Sequence, residues 1–414
     1  TKRSGYQQMS ITGRNRMLHR LGQSAGFIAR TLLPAVTGML LSWLVIHRFS
    51  PGIWGSIVSH TLWVYVLSAI ANWGSRDFLL RSFSETPANI APLFTSSILI
   101  RLLLFPLWLL ILLWHSGDNG QIFLICALWL LARYWLLGFD GLLTYFKKFR
   151  TALLIEAGGS MLVLTLVLVF PGEPNTADIL WMMLAADLLR GFFMAWVFRK
   201  YLTLRFRPGS GWFHLSRAWS FVLIGALGIL ASRSDQFLVF HYLSDDDKAL
   251  YQVLMNMLLL LMVLPGALLM PLLKNLYRSG DAVFVKVQRS LVLNALWIVP
   301  AGSLASAACV HFIYDFPLST WQWIITIILV FPVYVYVTPM YRMYKEHKEY
   351  MVAIASLSGL IVCFGLGVFI IPGAGITAAL ISAAAGQWII MLMVITLRWI
   401  IKTKEKQAAI TVQQ

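Results

Sequence analysis

Hydrophobic and polar positions along the chain alternate on a long scale. Apolar runs of about 20 residues are separated by short polar connections. The runs lie near residues 24–46, 54–80, 93–114, 121–144, 152–171, 178–198, 218–240, 249–273, 288–312, 321–341, 350–371 and 376–401. A helix rises 1.5 Å per residue, so about 20 residues cross the roughly 30 Å of a bilayer interior. A membrane β-strand would need only about 10 residues, alternating in polarity, and that pattern is absent. The pattern predicts twelve membrane-spanning helices. The connections are short, which makes neighbouring helices antiparallel.

Composition agrees with this reading. The chain has 414 residues, 59% hydrophobic and 12% charged, and its mean hydropathy is +0.75. A soluble domain carries about 25% charged residues. Lipid offers the backbone no hydrogen-bond partners, so the spanning segments must be helices. Cys126, Cys309 and Cys363 all fall inside apolar runs, with neither metal-ligand spacing nor a disulfide framework. No cleavable signal peptide is expected, because the first apolar run is long enough to stay in the membrane.

The net charge of +16 would suggest nucleic acid in a soluble chain, but its distribution points to a membrane. Segments on one side of the predicted bundle hold 24 of the 33 Lys and Arg residues, and those on the other side hold only Arg48 and Lys248. An alternation that regular predicts cytoplasmic termini and contact with anionic lipid rather than nucleic acid. The long basic segment 199–217 divides six runs from six. Leu44–Ser50 (LVIHRFS) and Leu238–Ser244 (LVFHYLS), at the ends of runs 1 and 7, share Leu-Val, His and Ser. Two lobes, 1–207 and 208–414, related as a parallel repeat, are the expectation.

Ionisable residues at membrane depth cost about 2.5–3.5 kcal/mol each and usually face a cavity or a partner. Arg398 and the pair Arg76/Asp77 lie near predicted helix ends, where long side chains reach water. Arg101 lies within the third run. Asp140 and Glu156 flank the basic turn Lys147–Arg150, which suggests an interfacial salt bridge. Asp187 and Arg190 share one helix face. Arg30 and Arg133 have no acid at helical spacing, so they are expected to line water or hold an anion. Arg233 and Asp235 point different ways from one helix. Asn256 and Asn294 are polar and deep. Proline interrupts several runs, at Pro34, Pro106, Pro265, Pro271, Pro332 and Pro339, where a kink is the simplest reading. Asp245–Asp247 reads as the solvated, capping start of run 8. Histidines are scattered, no hydrolase or metalloprotease motif is present, and no nucleotide-binding loop is present, so neither an enzyme nor an ATP-driven pump is expected.

Several segments resemble one transporter superfamily. Arg48–Gly55 resembles its first outer turn, and Ala71–Gly74 with Arg81 resembles the end of its second span. Ser234–Gln236 with Tyr251 resembles its span 7–8 hairpin. Leu269–Leu273 and Pro372–Ala379 resemble the end of span 8 and the entry to span 12. The chain is thus similar to the polysaccharide-transporter and O-antigen flippase branch of the multidrug/oligosaccharidyl-lipid/polysaccharide exporter superfamily. Ser50 where that family commonly has Gly, and the Asp triplet, depart from its pattern.

The resemblance implies an all-α membrane fold with two six-helix lobes around a central cavity, without cofactor or metal. It implies alternating access that moves undecaprenyl-diphosphate-linked oligosaccharide across the bacterial inner membrane, alongside a polysaccharide polymerase and a chain-length regulator. On that reading Arg30, Arg133, Arg233, Asn256 and Asn294 line the substrate cavity, and Asp235 and Asp187 are the candidates for ion coupling. Two other readings stand beside it. A cation-coupled multidrug exporter of the same superfamily would favour an acidic, apolar cavity. A membrane-embedded glycan polymerase or ligase would need a large outer loop, and outer segments of at most about eight residues are too short to build one.

Overall fold

A computed structural model describes residues 26, 29–30, 32–117, 119–203, 212, 216, 218–269, 276, 280–346 and 348–413. Among them there is no β-strand. The helices are α1 (Leu32–Arg48), α2 (Pro51–Ala71), α3 (Ser75–Glu85), α4 (Ile90–Leu102), α5 (Phe105–Ser116), α6 (Gly120–Gly138), α7 (Asp140–Phe146), α8 (Phe149–Val169), α9 (Thr176–Val197), α10 (Trp219–Tyr242), α11 (Asp245–Leu269), α12 (Asp281–Tyr314), α13 (Thr320–Lys345) and α14 (Glu349–Gln413).

These helices make twelve passes. Eight are long and apolar enough to cross a membrane, and α4 with α5 forms one more pass, bent by 42°. α14 is two passes joined at Gly375, where the backbone leaves helical geometry. α1 and α10 complete the set. The polar run Ser232–Gln236 interrupts the apolar sequence of α10. Large apolar side chains such as Trp114, Trp297 and Phe369 are exposed at 78–84%, as expected where lipid is the solvent.

Three boundaries differ from the sequence reading. Run 54–80 is not one helix: α2 ends at Ala71 and the chain turns through left-handed Trp73 and Gly74 into α3. Arg101, buried in α4, fixes this turn by donating to the Asn72 carbonyl at 2.7 Å and to its side-chain oxygen at 2.8 Å. Run 93–114 breaks between Leu102 and Phe105, just ahead of Pro106. α12 starts at Asp281, a full two turns before the expected 288. The basic segment 204–211, with the expected lobe boundary inside it, lies outside the described residues, as do the first 25 residues and Met270–Lys274.

The two ends of the bundle are built differently. At the charge-poor end, five helices start on a side-chain cap. Ser50 accepts from Ile53 N at 3.2 Å, Asn119 from Ile122 N at 3.1 Å, and Asn175 from Asp178 N at 2.9 Å. Ser244 accepts from Asp247 N at 3.3 Å, and Ser319 from Gln322 N at 3.2 Å. Each cap satisfies one of the backbone N–H groups that the first turn of its helix leaves unpaired. At the basic end, Gly74, Lys148, Ala218 and Gly280 open helices with no such bond.

Each lobe holds six passes. In the first, α9 packs on α6 and α8, and α2 on α6; in the second, α14 packs on α10 and α13. The lobes meet mainly where α2 crosses α11. Gly55 permits that crossing, because a Cβ there would lie 1.9 Å from the Asp245 carbonyl oxygen. Nearby, the Tyr314 hydroxyl donates to the Met39 carbonyl at 2.6 Å and lies 2.9 Å from Ser42 Oγ. His47 lies 3.9 Å from Asp315. At the basic end, Trp73 meets Trp219 at 5.5 Å between ring centroids.

Candidate functional site: two polar cavities beside the first span

Two cavities lie on either side of α1 and share part of its wall. Pro34, Gly38 and Leu41 of α1, Tyr65 of α2 and Met183 of α9 border both.

The smaller, about 280 Å³, is inside the first lobe. Six charged residues line it: Arg30, Arg133, Arg190, Asp140, Glu156 and Asp187. Helical spacing gathers them. Trp129 and Arg133 are four apart on α6, and both donate to Asp187 Oδ2, at 2.7 and 3.0 Å. Arg190, three residues after Asp187 on α9, donates to its other oxygen at 2.6 Å and pairs with Glu156 of α8 at 3.2 Å. Gly159 makes room for that guanidinium, since a Cβ there would lie 2.4 Å from Arg190 Nε. Arg30 pairs with Asp140 at 2.6 Å. The Arg133 guanidinium sits 3.7 Å from the centre of the Tyr65 ring, a close cation–π contact.

Three cations thus meet three anions. Arg30 and Arg133 are not the unpaired arginines that sequence spacing suggested, because their partners come from other helices. Asp140 and Glu156 do not close an interfacial salt bridge across the Lys147–Arg150 turn; each reaches an arginine on this cavity wall. Asp187, 2% exposed, has both oxygens occupied by guanidinium and indole donors. In a low-dielectric setting such a network holds together, and losing one member strands a buried charge.

The larger cavity, about 470 Å³, lies between the lobes. α1 and α2 form one side of it and α10 and α11 the other. Among the described residues, Arg233 is the one charged side chain on its lining. Its guanidinium donates to Gln236 Oε1 at 2.8 Å, one turn along α10, and among the described residues no carboxylate lies within ion-pair distance. Gln252 and Asn256, four apart on α11, are bonded at 3.1 Å on the opposite wall. The Asn256 amide lies 3.9 Å from where a Cβ on Gly38 would stand, so it reaches towards α1.

Asp235 takes no part in this lining. Two positions from Arg233, it points about 200° around the helix, into the second lobe, where the Tyr251 hydroxyl donates to it at 2.5 Å. It is 2% exposed. Asn294 is separated from the others: it is exposed on α12 and borders neither cavity. Of the residues singled out in the sequence, Arg30, Arg133 and Asp187 come together in the first lobe, and Arg233 and Asn256 between the lobes.

Sequence reasoning missed Tyr65, Gln236 and Gln252. The i,i+3 spacing of Arg233 with Gln236 and the i,i+4 spacing of Gln252 with Asn256 were the available signals. Arg398, expected to reach water, instead pairs with Glu346 at 3.2 Å. Glu346 lies in the connection after α13. Partial burial works against its charge, but Arg398, Arg342 and Lys348 outweigh that and hold its carboxyl below the usual range.

No family model and no curated protein matches the chain by sequence. Solved structures do match. The lipid II flippase MurJ, in an inward closed conformation, superposes with a TM-score of 0.72 at 12% identity, over 90% of this chain and 87% of its own. An inward-facing multidrug resistance MATE transporter of the MOP superfamily gives 0.63 at 13% identity, over 91% of this chain and 96% of its own. A eukaryotic MATE transporter gives 0.59 at 11% identity, over 92% and 96%. The chain therefore has the fold seen in this lipid II flippase and in MATE transporters of the MOP superfamily.

Proposed function

We propose that this protein is a flippase. It moves an undecaprenyl-diphosphate-linked oligosaccharide from the cytoplasmic to the outer leaflet of the bacterial inner membrane, with both termini in the cytoplasm. The observation that carries this reading is Arg233: a guanidinium without a carboxylate partner among the described residues, on the wall of a cavity between the two lobes. A free cation at membrane depth is costly unless it serves a ligand, and a guanidinium offers a planar fork of donors that suits phosphate oxygens. A cation-coupled drug exporter is less well served, since a bound organic cation would face this arginine with no acid on the described lining to balance it. The same lack of a carboxylate argues against hydrolytic or transfer chemistry there.

Transport follows from rocking of the lobes about the α2–α11 contact. At the charge-poor end the lobes touch through the Gly55–Asp245 crossing and the Ser42–Tyr314–Met39 contact, which would close that end. Substrate would enter from the basic, cytoplasmic end, its headgroup in the cavity and its prenyl chain in lipid. Opening the other end requires those contacts to separate. Asp235 is the carboxylate we assign to ion coupling. It is buried beside the α10–α11 hairpin with a tyrosine hydroxyl as partner and no guanidinium within ion-pair distance among the described residues, so a proton or small cation changes its energy strongly. Asp187, with both oxygens occupied, serves the rigidity of the first lobe.

The reading is tested by reconstituting the full chain into liposomes that carry a lipid-linked oligosaccharide on one leaflet. A lectin or glycosidase outside reports its arrival. Flipping that depends on the protein supports the reading, and no flipping by well-folded protein, with or without an ion gradient, overturns it.

A further inference from the structure

The polar atoms on the cavity between the lobes are not all used. Gln236 is 0% exposed; its oxygen accepts from Arg233, while its Nε2 is buried without a partner among the described residues. On the opposite wall Gln252 gives its Nε2 to Asn256, and its Oε1 is likewise buried and unpartnered. A buried polar atom left unpaired is costly, and the two residues that carry these atoms both line this cavity. One is a donor and the other an acceptor. Turning the Gln252 amide over would change which of its atoms is free, not the fact that one is.

We propose that Gln236 and Gln252 form a subsite for an uncharged sugar, adjoining the phosphate-holding Arg233. A sugar hydroxyl both donates and accepts, so neighbouring hydroxyls suit a free amide donor on one wall and a free amide acceptor on the other. Asn256, bonded to Gln252, holds its amide in place. Tyr65 on the α2 wall supplies an aromatic surface of the kind that sugars pack against. Charge sets the selectivity. With Arg233 the one charged residue on the described lining, an amino sugar bearing a free ammonium has no acid to meet, while a neutral hexose or N-acetylhexosamine leaves nothing unpaired. This deepens the proposed function and rests on it. It adds that the sugar next to the phosphate is neutral and is recognised by amides.

The test uses purified full-length protein in detergent and three water-soluble probes. They are a short-chain prenyl diphosphate, the same molecule bearing one neutral hexose, and the same bearing a hexosamine with a free amine. Calorimetry reads their affinities. The wild type should bind the hexose probe about tenfold more tightly than the bare diphosphate, the gain of roughly one to two net hydrogen bonds, and should disfavour the amine. Gln252→Met, close in shape and no party to the Arg233–Gln236 bond, should bring the hexose-to-bare ratio close to one. Gln236→Met should do the same, and melting temperatures confirm that both variants are folded. A wild type that binds hexose and bare probes equally, or a folded Gln252→Met that keeps the tenfold ratio, overturns the subsite while leaving the flippase reading in place. Failure of all three probes to bind wild-type protein overturns both.

Discussion

At the scale of single residues, the two cavities make opposite demands on arginine. Arg133 and Arg190 are embedded in a neutral network, so Asp187→Ala should strand Arg133, leave Arg190 paired with Glu156 alone and cost about 3–5 kcal/mol. A fall in the melting temperature of purified protein, with reduced membrane levels, is the expected outcome. Arg233→Ala removes a buried cation together with its one hydrogen bond to Gln236, and should lower melting far less. The sequence could not separate these cases, because the acids that neutralise Arg30 and Arg133 sit 110 and 54 positions away. What it did show was that these arginines were deep, and that Asp187 and Arg190 shared a face. Asn294 looked as deep as Asn256, but which way it faces on α12 depends on packing that no local pattern reveals.

At the scale of elements, the helices were mostly legible, since a membrane demands long apolar runs. The departures have local causes. The α2–α3 turn depends on Trp73 and Gly74 adopting left-handed conformations and on Arg101 reaching across from α4, a contact between residues 29 positions apart. Arg101→Ala should unfasten this turn and bring Trp73 out of register with Trp219, seen as altered tryptophan fluorescence in the purified protein. The α2–α11 crossing gives a sharper prediction. Gly55→Ala places a methyl group against the Asp245 backbone, which a side-chain rotation cannot relieve, so the conformation closed at the charge-poor end should lose population. Cysteines in place of His47 and Asp315, whose side chains approach to 3.9 Å in this structure, would report it. Cross-linking should be efficient while Gly55 is kept and should fall once Gly55→Ala is added. Undiminished cross-linking would show that the helices can part slightly while that end stays closed. The caps follow the same logic at lower stakes, Asn175→Ala costing about 1 kcal/mol.

At the scale of the whole molecule, the distribution of Lys and Arg foretold the two ends of the bundle, and the fold bears out twelve passes in two lobes around a central cavity. The residues Ser50 and Ser244, matched in the sequence repeat, both cap the helix that follows them. A parallel relation of residues 1–207 to 208–414 predicts that Leu44–Ser50 overlays Leu238–Ser244 when the lobes are superposed. Labelling of single cysteines in intact cells should find 241–248 accessible from outside and 145–151 protected. The central claim is narrower than the fold: a guanidinium between the lobes, without a carboxylate partner among the described residues, holds the anionic headgroup of a lipid-linked glycan. Its most direct test is surface glycan in a bacterial strain lacking the native flippase, complemented with the wild type, Arg233→Lys or Arg233→Ala, with membrane levels of each measured. The account predicts restoration by the wild type, partial restoration by lysine, and loss with alanine at normal protein levels; full export by a well-expressed Arg233→Ala would contradict it.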